Sequence, residues 1–347
     1  MRIYIHIPFC ASKCSYCAFT SLVGSKKINE YFNALIIDIK RFLPFKKSIK
    51  SLYFGGGTPS IVDAKFYEAL FKILSPFFDN DCEISAEANP NSLNLNWLNA
   101  LRDFGLNRIS LGVQSFNDEK LKFLNRAHSK ELALKQINLL KKEKINFSID
   151  LIYGTFLDDL DNLNYELNML KQLELNHLSA YTLILEDNTA FEKREDFLQK
   201  NDELNCYFYD NLQKIGLKAY EISNFASSDE FICKHNLAYW SKEDYLGIGL
   251  SSVGTTNNIR YYATDNLDEY LNNPTKRIKE YLSNDDIRLE SIFLGLRSKV
   301  GFNKNLIKDI KKLNDLSDFL YIKDDKVYNK NYLLSDELAL YLNKYTR

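Results

Sequence analysis

Apolar residues recur along this chain in two rhythms that take turns. Residues 2–8 alternate as a first strand. Ile28, Tyr31, Phe32, Leu35, Ile39 and Phe42 then repeat at helical spacing. The same exchange continues through strands at 51–54, 83–87, 108–113, 147–152 and 177–183. Helical patterns separate them near 66–74, around Trp97, Leu98 and Leu101, at 118–124, 130–142 and 160–173. A further helix near 202–215 leads to a strand expected at 218–222. Regular βαβ alternation predicts an α/β fold with a parallel sheet and helices outside it, here an open, partial (β/α) barrel.

After residue 254 the pattern changes. Residues 255–284 are polar and Asn-rich, and read as an irregular connector with short elements. Leu289, Ile292, Phe293 and Leu296 mark a helix over 288–297. Segments 319–322 and 326–328 flank Asp324-Asp325 as a hairpin, and Ser335 is placed to cap a last helix supported by Glu337. The expected organisation is therefore a barrel domain at 1–254, a connector at 255–284, and a small helical, winged-helix-like C-terminal module at 285–347.

Composition narrows the function classes. The 347 residues are 45% hydrophobic and 26% charged, enough for a sizeable core. A net charge of −1 argues against nucleic acid as a partner. No run reaches the ~18 apolar residues of a membrane span, and no signal peptide opens the chain, so a cytoplasmic protein is expected. Thiols stay reduced there, which leaves Cys82, Cys206 and Cys233 unpaired, with Cys82 a small core residue on a strand face.

The other three cysteines are grouped. Cys10, Cys14 and Cys17 share one short loop after the first strand, at Cys-x-x-x-Cys-x-x-Cys spacing. Iron–sulfur clusters are held by thiolates and normally take four, so three leave one iron open to a small molecule. The alternatives are a structural zinc site, for which His6 lies close by, or a disulfide with a spare thiol. A glycine run, Gly55-Gly56-Gly57, follows the second strand. It requires positive φ or a close backbone approach, and is neither a P-loop nor a dinucleotide motif. Glu87, Gln114 and Asp150 fall at or near the ends of the next three strands. Polar groups at successive carboxyl ends converge on one face of a barrel.

The cysteine spacing resembles that of the radical S-adenosylmethionine (SAM) superfamily. Residues 4–10, 53–60, 87–90, 108–116, 148–154, 220–225, 244–249 and 289–301 narrow the likeness. They resemble the oxygen-independent coproporphyrinogen III oxidase family over nearly the whole chain. The resemblance implies a [4Fe–4S] cluster on Cys10, Cys14 and Cys17. It further implies SAM contacts from Tyr4, Tyr16, Gly56, Gly57, Thr58 and Glu87, with Gln114, Arg126 and Asp150 at positions that also meet a second SAM.

Two features point to the haem-chaperone branch of that family. Phe19 stands where the dehydrogenases carry a further cysteine, and only three residues precede Tyr4. A third, His235-Asn236-Leu237-Ala238-Tyr239-Trp240, resembles that branch's haem motif. It implies His235 as axial ligand, Tyr239 and Trp240 against the ring, and Cys233 as a second candidate ligand. There are departures: Thr155-Phe156-Leu157, Asn125 and Ser252-Val253-Gly254 replace the family's usual residues. The expected function is a haem chaperone that passes haem to acceptor proteins, respiratory ones among them, with homodimerisation left open. An oxygen-independent coproporphyrinogen III dehydrogenase is the rival, and a tRNA-modifying radical SAM enzyme a third reading.

Overall fold

The computed structural model describes residues 1–24, 26–42 and 48–345. Strands β1 (Arg2–Ile7), β2 (Ile49–Gly56), β3 (Phe78–Ala88), β4 (Arg108–Gln114), β5 (Asn146–Tyr153) and β6 (His177–Thr182) pair in parallel in sequence order. Between them run α1 (Ile28–Phe42), α2 (Lys65–Leu74), α3 (Leu95–Asp103), α4 (Asp118–Phe123), α5 (Lys130–Lys142) and α6 (Leu160–Leu173). Each helix faces the sheet with its apolar stripe: Tyr31, Phe32, Leu35 and Ile39 of α1 are all buried. Side chains set the helix starts. Asn94, Ser129 and Asp159 accept from backbone N–H groups at Trp97, Leu132 and Asn162.

The sheet stays open, as the partial barrel of the sequence pattern requires. Beyond β6 lie α7 (Asp202–Lys214) and two short antiparallel strands, β7 (Lys218–Ala219) and β8 (Asn224–Ala226). The strand expected over 218–222 is thus only its first two residues. Tyr220 N turns back to Asn224 O, and Ile222 N bonds Arg297 O instead of a ladder.

After α8 (Lys234–Trp240), β9 (Tyr245–Ile248) pairs in parallel with the free side of β1. β10 (Val253–Thr256), β11 (Ile259–Tyr262) and β12 (Ile278–Tyr281) extend that edge antiparallel, completing twelve strands among the described residues. Residues 255–284 therefore continue the main sheet rather than run as an irregular connector. Their polar composition misled because these strands are short, β11 half-exposed and β12 exposed along its whole length. Arg277 fixes the segment to the body: it pairs with buried Asp38 of α1 at 2.7 Å, and Asp38 also accepts from Gly249 N and Tyr270 Oη, each at 3.0 Å.

A second core, including Ile292, Leu296, Phe302, Val327 and Leu338, belongs to the C-terminal part. It joins α10 (Asn284–Leu296), which follows the short α9 (Leu267–Asn272), to a three-stranded sheet and two helices. The strands are β13 (Phe302–Asn303), β14 (Leu320–Lys323) and β15 (Lys326–Asn329); the helices are α11 (Lys311–Asn314) and α12 (Ser335–Asn343). Asp324 and Asp325 take positive φ in the hairpin turn, as their placement predicts. Ser335 is not the cap. It is the first residue of α12, and its hydroxyl donates to Leu296 O at 3.0 Å, tying the helix to α10.

A buried charge left without its partner is costly, about 3–5 kcal/mol. Arg277→Met should therefore lower the unfolding free energy by that order in denaturant titration. A loss no larger than that of a surface substitution would detach residues 255–284 from the main body.

Candidate functional site

The carboxyl ends of β2 to β6 and the loop after β1 enclose a cavity of about 510 Å³. Its position follows from the fold: side chains at the ends of parallel strands cannot pack inside the sheet and face the loops above it.

The cysteine loop lies over this cavity. Two residues on either side, Phe9-Cys10 and Leu22-Val23, pair in parallel and close it. Ser15 N donates to Leu124 O, and Asn125 Nδ2 to Lys13 O at 2.9 Å, so the segment after α4 holds its far side. Cys10, Cys14 and Cys17 are free thiols, and all three line the cavity. Burial raises the thiol pKa of Cys10 and of Cys17. Arg126 Nη1 donates to Cys14 Sγ at 3.3 Å, placing a positive charge where a thiolate needs one. Three thiols from one loop beside a guanidinium form a donor set suited to an iron–sulfur cluster. His6, which could have closed a zinc tetrahedron, uses both ring nitrogens on Tyr4 Oη (3.1 Å) and Thr20 O (2.8 Å).

The glycine run explains itself against the chain. Gly57 N bonds Ile7 O and Thr58 N bonds Phe9 O, both at 2.8 Å. A Cβ on Gly57 would lie 2.7 Å from the Pro8 carbonyl carbon. One on Gly56, where φ is +114°, would lie 2.5 Å from the His6 ring. The close approach is thus to the base of the cysteine loop. Gly56, Gly57 and Thr58 still line the cavity.

Glu87, Asp150, Gln114, Arg126 and Tyr16 line it too. Glu87 accepts from Gly56 N at 3.0 Å and from Tyr53 Oη at 3.1 Å. Burial, and then the Asp150 charge, raise its pKa to about 7 despite those bonds. Burial raises Asp150 to about 6 against hydrogen bonds from Ser179 and Ser110 and the charges of Arg126 and Arg108. Gln114 ends β4 with φ +68°, a left-handed conformation that costs a non-glycine residue roughly 1–2 kcal/mol, and the ladder slips in register there. Arg126 Nη2 donates to Asn89 Oδ1 (2.6 Å) and Gly112 O (2.7 Å), while its Nε is buried with no partner. A guanidinium charge between thiols and carboxyls suits an anionic group on a ligand that also carries positive charge.

Sequence reasoning did not single out Asn89, Ser110 and Gly112. Asn89 links Thr58 Oγ1 to Arg126, and Ser110 holds Asp150. A Cβ on Gly112 would meet Asn89 Oδ1 at 2.9 Å and Arg126 Nη2 at 3.2 Å. Asn89 follows the end of β3 and Gly112 lies near the end of β4, the neighbourhoods of Glu87 and Gln114, whereas Ser110 sits within β4.

Other expected residues lie elsewhere. Tyr4 is near the start of β1, below this cavity; its ring stacks near Tyr53 and it lines a second cavity. His235 sits in α8 rather than a loop and is 1% exposed. Its Nδ1 bonds Ser51 Oγ and its Nε2 bonds Tyr239 Oη, both at 2.7 Å, so neither nitrogen is open to a metal. Cys233 is buried with its pKa pushed up to about 12, and its thiol donates to Glu83. Tyr239 lines the second cavity; Trp240 is half-buried and lines neither.

The sequence profile of the radical SAM superfamily matches residues 4–164. The haem chaperone HemW of Lactococcus lactis is 38% identical over 86% of this chain and 82% of its own length. The haem chaperone HemW of Bacillus subtilis is 30% identical over 98% of this chain and 94% of its own. The coproporphyrinogen III oxidase HemN of Escherichia coli, described as a radical SAM enzyme, superposes with a TM-score of 0.82. That likeness covers 99% of this chain and 90% of that one at 22% identity, and it establishes the fold.

Glu87 gives a test of the electrostatics. With a folded pKa near 7 against an ordinary 4.5, the native state holds more protons than the unfolded state between those values. Native stability therefore falls as pH rises through that window. Glu87→Gln removes the term. Its Tm relative to the cluster-free parent should be higher at pH 8 than at pH 5; an equal difference at both would contradict the raised pKa.

Proposed function

This chain belongs to the family of the haem chaperone HemW, within the radical SAM superfamily, and on that premise we propose that it binds a [4Fe–4S] cluster, SAM and haem and passes haem to acceptor proteins. The observation that carries the cofactor part is the single cavity shared by three free thiols, the carboxyls of Glu87 and Asp150, and the Arg126 guanidinium.

Cys10, Cys14 and Cys17 would hold the cluster. When bound, it would supply an iron with a position open to SAM. The protein's own groups account for the rest. Arg126 offers its positive charge to the SAM carboxylate. Ionised Glu87 and Asp150 accept from hydroxyl or amino groups and favour the sulfonium charge. Tyr16 covers the loop side, and the Gly56-Gly57-Thr58 backbone forms the wall beside Cys10. Gln114, held in its left-handed conformation, fixes the far wall.

His235, Tyr239 and Trp240 remain the haem segment of this proposal, with one change of role. His235 positions Tyr239 through their hydrogen bond rather than ligating iron. Phe19, 69% exposed, borders both cavities in place of a fourth cysteine. Haem is then cargo, handed to a partner protein. No described helix is long and apolar enough to cross a membrane. Residence in the cytoplasm, respiratory proteins as acceptors, and a homodimer belong to the same proposal.

The anaerobically reconstituted protein should carry a full cluster, and the Cys10→Ser, Cys14→Ser, Cys17→Ser triple variant none, by iron and sulfide analysis. Loaded with haem, the parent should transfer it to an apo-acceptor, and with SAM and a reductant it should form no protoporphyrinogen above background. A cluster retained by the triple variant would overturn the cofactor assignment. Robust SAM-dependent turnover of coproporphyrinogen would favour the dehydrogenase.

A further inference from the structure

Helix α6 carries a carboxylate on its buried face. The apolar stripe of that face is Leu163, Leu167, Leu170 and Leu173, and Glu166 lies within it, 3% exposed. A glutamate is rarely so buried unless it is paired. The charged groups that act on it, Lys120 of α4 and Asp158, already hold each other at 2.6 Å. Burial raises the Glu166 pKa, and the Lys120 charge and the hydrogen bonds from Ser115 and Phe116 oppose it.

Both Glu166 oxygens go to one turn. Oε1 accepts from Ser115 Oγ and from Phe116 N at 3.0 Å, and Oε2 accepts from the same N–H at 3.2 Å. Ser115 Oγ in turn accepts from Asn117 N at 2.9 Å. Two more α6 side chains hold this segment. Tyr165 Oη donates to Phe116 O at 3.3 Å, and Asn162 Oδ1 accepts from Asn117 Nδ2 at 3.1 Å. Of the three, Glu166 is the one that reaches Ser115, the residue directly after Gln114.

The turn is the strained one that ends β4. Ser115 N returns to Val113 O at 2.9 Å and closes a γ-turn around Gln114, whose φ of +68° is the rare hand of that turn. Such a conformation persists only where its surroundings hold it. It places Gln114 in the cavity of the three thiols. There its Nε2 lies over Gly112, 2.9 Å from where a Cβ would stand, and Asn89 Oδ1 and Arg126 Nη2 approach the same point at 2.9 and 3.2 Å. Relaxation to negative φ would redirect the Cα–Cβ bond of Gln114 and carry its amide away from Arg126.

We propose that Glu166 is the positioning residue of Gln114: from α6 it clamps the turn that aims the Gln114 amide into the thiol cavity, and SAM affinity depends on that clamp. This rests on the SAM-binding reading and adds to it a residue that lines neither cavity.

The test uses the anaerobically reconstituted full chain. It reads the SAM concentration that half-shifts the electron paramagnetic resonance signal of the reduced cluster. Glu166→Asp keeps the charge beside Lys120 but withdraws the carboxylate by one methylene. It should need about tenfold more SAM, the equivalent of one well-placed hydrogen bond, at unchanged cluster content. Glu166→Gln loses the charge but keeps an oxygen at Oε1, where the Ser115 bond and the shorter Phe116 bond fall, and should stay near the parent. Gln114→Gly takes a positive φ without strain, so it should fold, and it should show the same tenfold loss. In that background Glu166→Asp should add nothing, because residues acting through one another are not additive. Parental SAM affinity in Glu166→Asp overturns the proposal, as does a cluster that this variant cannot hold. An equal loss on both backgrounds, the mark of a general effect on the fold, overturns it too. A loss confined to Glu166→Gln would make the effect one of charge and also overturn it. A parent whose signal SAM leaves unchanged overturns the SAM reading beneath, so the parent titration separates the two failures.

Discussion

The cysteine loop stays over the sheet because two backbones meet without side chains between them. Gly57 N and Thr58 N bond Ile7 O and Phe9 O, and neither Gly56 nor Gly57 has room for a Cβ. This contact fixes where Cys10 leaves β1, and hence where Cys14 and Cys17 fall. Larger residues there would push the loop off the strand ends, and the thiols would no longer share a cavity with Glu87 and Arg126.

The second constraint is electrostatic. Glu87 and Asp150 are brought together in a site that desolvates them, and both resist ionisation. Arg126 answers with a positive charge shared between Cys14 and Asn89, leaving its Nε unspent. A zwitterionic ligand with a further sulfonium charge would relieve both imbalances at once.

Much of this was legible in the sequence. The βαβ rhythm gave the six parallel strands, because buried parallel strands and amphipathic helices leave strong periodic signals. Strand ends gave Glu87, Gln114 and Asp150. What escaped was set by contacts distant in the chain. The short strands of residues 255–284 are polar because they form a half-exposed edge, and Arg277 joins them to Asp38 across more than two hundred residues. The surroundings of His235 were hidden for the same reason. Its motif names an imidazole, but Ser51 and Tyr239 decide that both nitrogens are spent inside the fold. Asn89 and Gly112 carried no signal of their own, since their work is to make room and link neighbours.

The account turns on thiols and SAM sharing one cavity. Its most direct test is the electron paramagnetic resonance spectrum of the reduced, reconstituted protein with and without SAM. SAM should shift the cluster signal of the parent, and Arg126→Met should keep the cluster while needing far more SAM for the same shift. A parental spectrum that SAM leaves unchanged, at full cluster content, would contradict it.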